Sequence, residues 1–198
     1  MSKRNSTGKN KFDYTPQGKL PKLGKIKTEW DLKALYYKSE SDPRIEEDLK
    51  AAEKAYAAFA KKWRDTQFAE DAKLLKQALT HYERLSGMPE ISRPGRYFSF
   101  RSSLDAKDKV ADKRLTLIGN RLRKAGDQIV FFVLALGKIS TKRQSELLAD
   151  PALSHFRYYL ERVFLSAKHH LTEAEEKIVA LKGNQAYGRW VDMTDKLI

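Results

Sequence analysis

The 198-residue sequence has no cysteine. That excludes disulfides and thiolate metal sites and suits a reducing compartment. Its longest apolar run, Ile129 to Leu136, is far short of the roughly 20 residues that a membrane-spanning helix needs. The N-terminus is basic but carries no apolar stretch of the kind a secretory signal requires. The sequence therefore reads as a cytoplasmic protein with no membrane association.

The four histidines, His81, His155, His169 and His170, form no His-Glu-x-x-His pattern, which would set two imidazoles on one helix face beside a glutamate base. His169 and His170 are adjacent, and on a helix they point about 100° apart, so they cannot readily share a cation. They read as a polar helix end before Leu171. There is no Gly-x-Ser-x-Gly. Gly87, Gly95 and Gly119 lie too far apart to make a phosphate-cradling loop. No catalytic, metal-binding or cofactor-binding residue is expected in this chain.

What the sequence has in quantity is positive charge, unevenly placed. Of a formal net charge of +13, residues 1–27 contribute eight Lys or Arg against one Asp. Rich in Lys, Ser, Thr, Gly and Asn, this stretch cannot bury enough apolar surface to offset its ordering entropy. It is predicted to be a disordered basic tail. Residues 28–198 are only mildly basic and are predicted to form one helical domain.

Within that domain apolar residues recur every three or four positions, the mark of amphipathic helices. Trp30, Leu32, Leu35 and Tyr36 open it. Asp42 is placed as an N-cap, with Pro43 at the first helical position. The stripe Ile45, Leu49, Ala52, Tyr56, Phe59 and Trp63 follows. A second stripe, Phe68, Ala72, Leu75, Leu79, Tyr82 and Leu85, stops at Gly87. Pro89, Pro94 and Gly95 predict a loop, followed by a short helix bearing Tyr97, Phe98 and Phe100. A long helix is expected from about Asp108 to Leu136, its inner stripe being Val110, Leu117, Leu122, Ile129, Phe132 and Leu136. Gly119 and Gly126 would weaken it, and they read as sites of close helix crossing. Ser140 or Thr141 starts a short helix ending near Asp150-Pro151. The next carries Phe156, Tyr159, Leu160, Val163 and Phe164 inward. Thr172 and Glu175 fit a capping box for a helix ending at Gly183. A last amphipathic segment bears Tyr187, Trp190, Val191 and Leu197. Period-two alternation is absent. The fold class is all-α, an antiparallel bundle or stack of about six to eight helices.

Two surface features invite functional readings. Arg114, Arg121, Arg123 and Lys124 give the long helix a basic side. Acidic residues are interspersed, however, and no nucleic-acid-reading module is evident, so a solvated helix face is the simpler account. Glu173, Glu175 and Glu176 could pass for an acidic site. They are explained as well by capping and the helix dipole.

The order of motifs resembles the N-terminal portion of the oligoendopeptidase F family. Trp30-Asp31-Leu32-Lys33-Ala34-Leu35-Tyr36 is similar to the family's Trp-Asp-Leu-x-x-Leu-Tyr opening. Asp48-Leu49-Lys50-Ala51-Ala52 resembles its following acidic helix, and Phe131-Phe132 its long helix. Asp150-Pro151-Ala152-Leu153 and Tyr158-Tyr159-Leu160-Glu161-Arg162 resemble its linker and next helix. Leu171-Thr172-Glu173-Ala174-Glu175-Glu176-Lys177-Ile178, with Trp190 and Asp195-Lys196-Leu197 beyond it, is the best-matching stretch. Ala186 departs from the family's usual Gly, and Met193-Thr194 from a Leu-Phe-like pair. The resemblance covers Trp30 to Ile198.

It implies a zinc endopeptidase of short peptides whose His-Glu-x-x-His helix lies further along than residue 198. This chain would be a non-catalytic wall of the substrate channel. Its partner would be the catalytic lobe, in cis or in trans, with zinc and short peptides bound there. Trp30, Leu35, Tyr36, Tyr159, Leu160, Thr172, Glu175 and Trp190 would be packing and capping residues. The alternative is a small basic helical module that binds nucleic acid or another partner.

Overall fold

The computed structural model describes residues 31–195. The predicted tail, Trp30 and Leu197 lie outside the described residues. Among those described there are ten α-helices and no strand: α1 (Leu32–Leu35), α2 (Pro43–Trp63), α3 (Ala72–Ser86), α4 (Pro89–Leu104), α5 (Lys109–Gly126), α6 (Val130–Gly137), α7 (Thr141–Ala149), α8 (Arg157–Ser166), α9 (Glu173–Gly183) and α10 (Arg189–Asp195). Six of them run ten residues or more.

Helix α2 organises the rest. Asp42 caps it by accepting from the Arg44 backbone N–H, and Pro43 occupies the first turn, where its missing N–H is no loss. Its 21 residues reach roughly 30 Å, long enough to enter two hydrophobic clusters. Near its start, Ile45 and Leu49 pack with Leu32, Tyr37, Tyr97, Phe98, Ala111 and Ile118. Near its end, Phe59 and Trp63 join Phe68, Leu75, Leu79, Phe132, Leu136, Leu153 and Leu160. Burial of each such large side chain contributes about 1.5–3 kcal/mol.

The structure departs from the sequence reading in several places. Residues 89–104 form one helix rather than a loop and a short helix, although Pro94 lies inside it. Pro89 starts α4, and the Pro94 ring is fully buried. Burial offsets the roughly 3 kcal/mol that an interior proline costs.

The long helix breaks into α5, a 3₁₀ turn at Asp127–Ile129, and α6. The buried face of α5 is Ala111, Ile118 and Ala125, while Val110 and Leu117 are exposed. Alanines let α5 approach its neighbours closely, and the first part of the inner stripe lies one residue along from the one predicted, while Leu122, Ile129, Phe132 and Leu136 pack inward as predicted.

Gly119 and Gly126 do not mark helix crossings, since a Cβ on either would meet nothing within 4 Å. The close approach is at Gly137. There a Cβ would stand 2.6 Å from His170 Nδ1 and 3.1 Å from Ala167 Cβ.

Gly183 is the last α-helical residue of α9, as predicted, but the helical path does not stop there. A π-helical turn, Asn184–Gly188, carries the chain on into α10.

Candidate functional site

Residues from α6 onward supply the surface features that need a functional account. Thr172 and Glu175 satisfy each other at the start of α9. The Glu175 N–H donates to Thr172 Oγ1 (3.3 Å), and the Thr172 N–H donates to Glu175 Oε2 (2.9 Å). The bonds from Thr172 hold the Glu175 carboxyl below its ordinary range. Beside it Glu176 accepts the Leu171 N–H (3.0 Å). Glu173 accepts from Lys177 Nζ (2.8 Å) and pairs with Arg64 Nη1 (3.6 Å). Lys177 first, and then Arg64, lowers the Glu173 carboxyl. The acidic cluster is thus occupied in capping α9 and tying it to the end of α2. Arg64 extends that tie by lying over the Phe131 ring at 4.4 Å and donating to the Gln128 carbonyl (2.7 Å).

Behind α9 lies a cleft of about 320 Å³. Ile129, Val133 and Leu134 give it apolar walls, and Tyr56, Tyr82, His170 and Glu176 bring polar groups to it. Burial, and then the neighbouring Tyr82, pushes the Tyr56 hydroxyl above its ordinary range. Burial first, with Tyr82 adding to it, does the same to Tyr159. These phenols stay neutral hydrogen-bonding groups at physiological pH.

The residues singled out from the sequence separate into distinct environments. Leu160 is fully buried. Tyr159 packs on the cluster near the end of α2, its ring 6.1 Å from that of Tyr82. Tyr36 packs on the other cluster, 6.1 Å from Phe100. Leu35 closes α1, and its side chain is outside the described set. Trp190 does not pack: it is 63% exposed, beside Tyr187 at 76%. Neither ring joins either hydrophobic cluster. Sequence reading missed Tyr37, which is 1% exposed and donates to Asp48 Oδ2 (2.5 Å). An Asp on the inner side of a helix was the available signal.

Among the described residues no three of His, Asp and Glu are grouped so as to hold a metal ion. The described side chains here do not fit a zinc site. None of the described helices is long and apolar enough to cross a membrane. The basic side of α5 is also divided. Arg121 is bound to Glu46 and Glu53, and Arg123 to Asp127.

Residues 136–198 match the family model for oligopeptidase F, an M3 peptidase N-terminal region. The chain is also similar to an oligoendopeptidase F homolog of Borreliella burgdorferi, with 24% identity over 151 residues. That alignment takes in 76% of this chain and 24% of the relative, so the chain spans about a quarter of the relative's length. No solved structure matches it. The matched segment is similar to the N-terminal region of a peptidase family, and the all-α fold is consistent with it. Both comparisons point to the oligoendopeptidase F family and support a likeness to its N-terminal portion.

Proposed function

We propose that this chain is the non-catalytic N-terminal lobe of an oligoendopeptidase F-like zinc metalloendopeptidase acting on short peptides. It would stabilise the catalytic lobe and help to wall its substrate channel in the cytoplasm. The observation that carries this reading is the family match over residues 136–198. The α9 segment it includes is held in place by its own cap and by Arg64 rather than arranged around a reaction centre. Zinc, the hydrolytic water and the general base would belong to the catalytic lobe, supplied in the same polypeptide or a separate one.

A quenched fluorescent peptide of under about ten residues tests the assignment. The purified chain with added zinc should hydrolyse it no faster than a chelator-treated sample. The chain isolated from its native cells as part of the whole enzyme should show chelator-sensitive cleavage. Turnover by the purified chain alone would refute the non-catalytic role. No peptidase activity in the native preparation would refute the family function.

A further inference from the structure

We infer that the outer apolar face of α9 and α10, carried by Ile178, Val179, Tyr187, Trp190 and Met193, is where the catalytic lobe docks. The inference rests on the peptidase reading above and deepens it by naming the contact surface.

Four observations converge on this face. First, α9 runs for eleven residues yet has no buried side chain. A helix of that length without a core contribution of its own is stabilised when another body covers it. Second, single exposed apolar residues are ordinary on protein surfaces, but contiguous ones mark interaction sites. Tyr and Trp in particular anchor interfaces.

Third, the matched segment and the exposed apolar residues coincide. Nine of the twelve large exposed hydrophobic residues among those described fall within residues 136–198. Fourth, three quarters of the aligned relative's length lies outside the stretch matched here. A protein of that kind therefore has ample further chain to cover the face.

The π-helical turn Asn184–Gly188 aligns the two halves of the surface. It holds more residues per turn than an α-helix. Val179 and Tyr187, eight positions apart, are thereby brought close to one side, where an unbroken α-helix would set them about 80° apart.

Site-specific photocrosslinking tests the assignment. The photoreactive p-benzoylphenylalanine is placed at Trp190 and, as a control on α5, at exposed Leu117. Both variants are irradiated in the cells that make the protein. Adducts from position 190 should map by mass spectrometry to a segment carrying His-Glu-x-x-His, in the same polypeptide or a separate one. Their yield should be at least tenfold above that from position 117. Adducts to a second copy of this chain, to another protein, or none at all would overturn the docking surface. Adducts mainly from position 117 would overturn it too. The peptidase reading is judged separately, by chelator-sensitive hydrolysis brought down with the tagged wild-type chain. If that activity is present and the adducts form elsewhere, only the docking surface fails.

Discussion

The indole N–H of Trp63 donates to Nδ1 of His81 across 2.9 Å, joining the end of α2 to α3. The bond fixes the histidine as a neutral acceptor with its proton on Nε2. Protonation would turn Nδ1 into a donor facing another donor. Burial first, and then Lys62 and Arg84, holds His81 below its ordinary range. A depressed histidine binds fewer protons in the folded state than in the unfolded one. Its contribution is therefore present at neutral pH and is lost as pH falls below the ordinary His range. Thermal denaturation between pH 7.5 and 5 should show Tm falling with pH, and His81→Gln should flatten that slope. His81→Leu would leave the indole N–H without an acceptor and should cost about 1–3 kcal/mol at pH 7.5.

A second buried polar contact makes a larger prediction. Asp48 accepts from the Tyr37 hydroxyl and from Arg93 Nη1 at 3.0 Å. Burial, and then the Asp48 bond, pushes the Tyr37 hydroxyl well above its ordinary range. Asp48→Ala would leave that hydroxyl buried without an acceptor, whereas Arg93 is exposed enough to regain water. The expected loss in urea denaturation is about 3 kcal/mol. Tyr37→Phe, which leaves Asp48 its arginine, should cost about 1 kcal/mol.

The register of α5 can be read from two neighbouring residues. Ile118 is buried and Leu117 is 54% exposed. Ile118→Ala should destabilise by about 2–5 kcal/mol, and Leu117→Ala should stay within about 0.5 kcal/mol of wild type. Comparable losses at both positions would contradict the observed packing.

Gly137 offers a test by coupling. An alanine there meets the His170 ring, so Gly137→Ala should cost about 1–3 kcal/mol through overpacking. In a His170→Ala background most of that cost should disappear, giving a double-mutant coupling energy above about 0.5 kcal/mol. Additive losses would mean that Ala167 Cβ, not the imidazole, is the obstacle.

These sites also mark what was legible in the sequence. Asp42-Pro43, Ser140 and the Thr172–Glu175 box are local devices, and each sits in the structure where its spacing placed it. The stripe from Ile45 to Trp63 was clear because one helix turns those residues inward together. The α5 register was obscured because its buried face uses alanines, which carry little hydrophobic signal beside Val110 and Leu117. Pro94 disguised a helix because its cost is local while its compensation is tertiary. The exposure of Trp190 was hidden for another reason. Residue spacing can show that a helix has an apolar side, but not which body lies against it.

The five residues Asn184–Gly188 form a turn that accommodates one residue more than an α-helix would. Rewinding it as α-helix with every residue kept would carry Tyr187 to about 80° from Val179 around the axis. Deleting Asn184 as the turn rewinds would leave the two residues seven positions apart and about 20° from one another, still on one side. The alignment of the C-terminal surface is therefore tolerant of that deletion yet sensitive to how the turn is wound, and composition alone would give no warning of it.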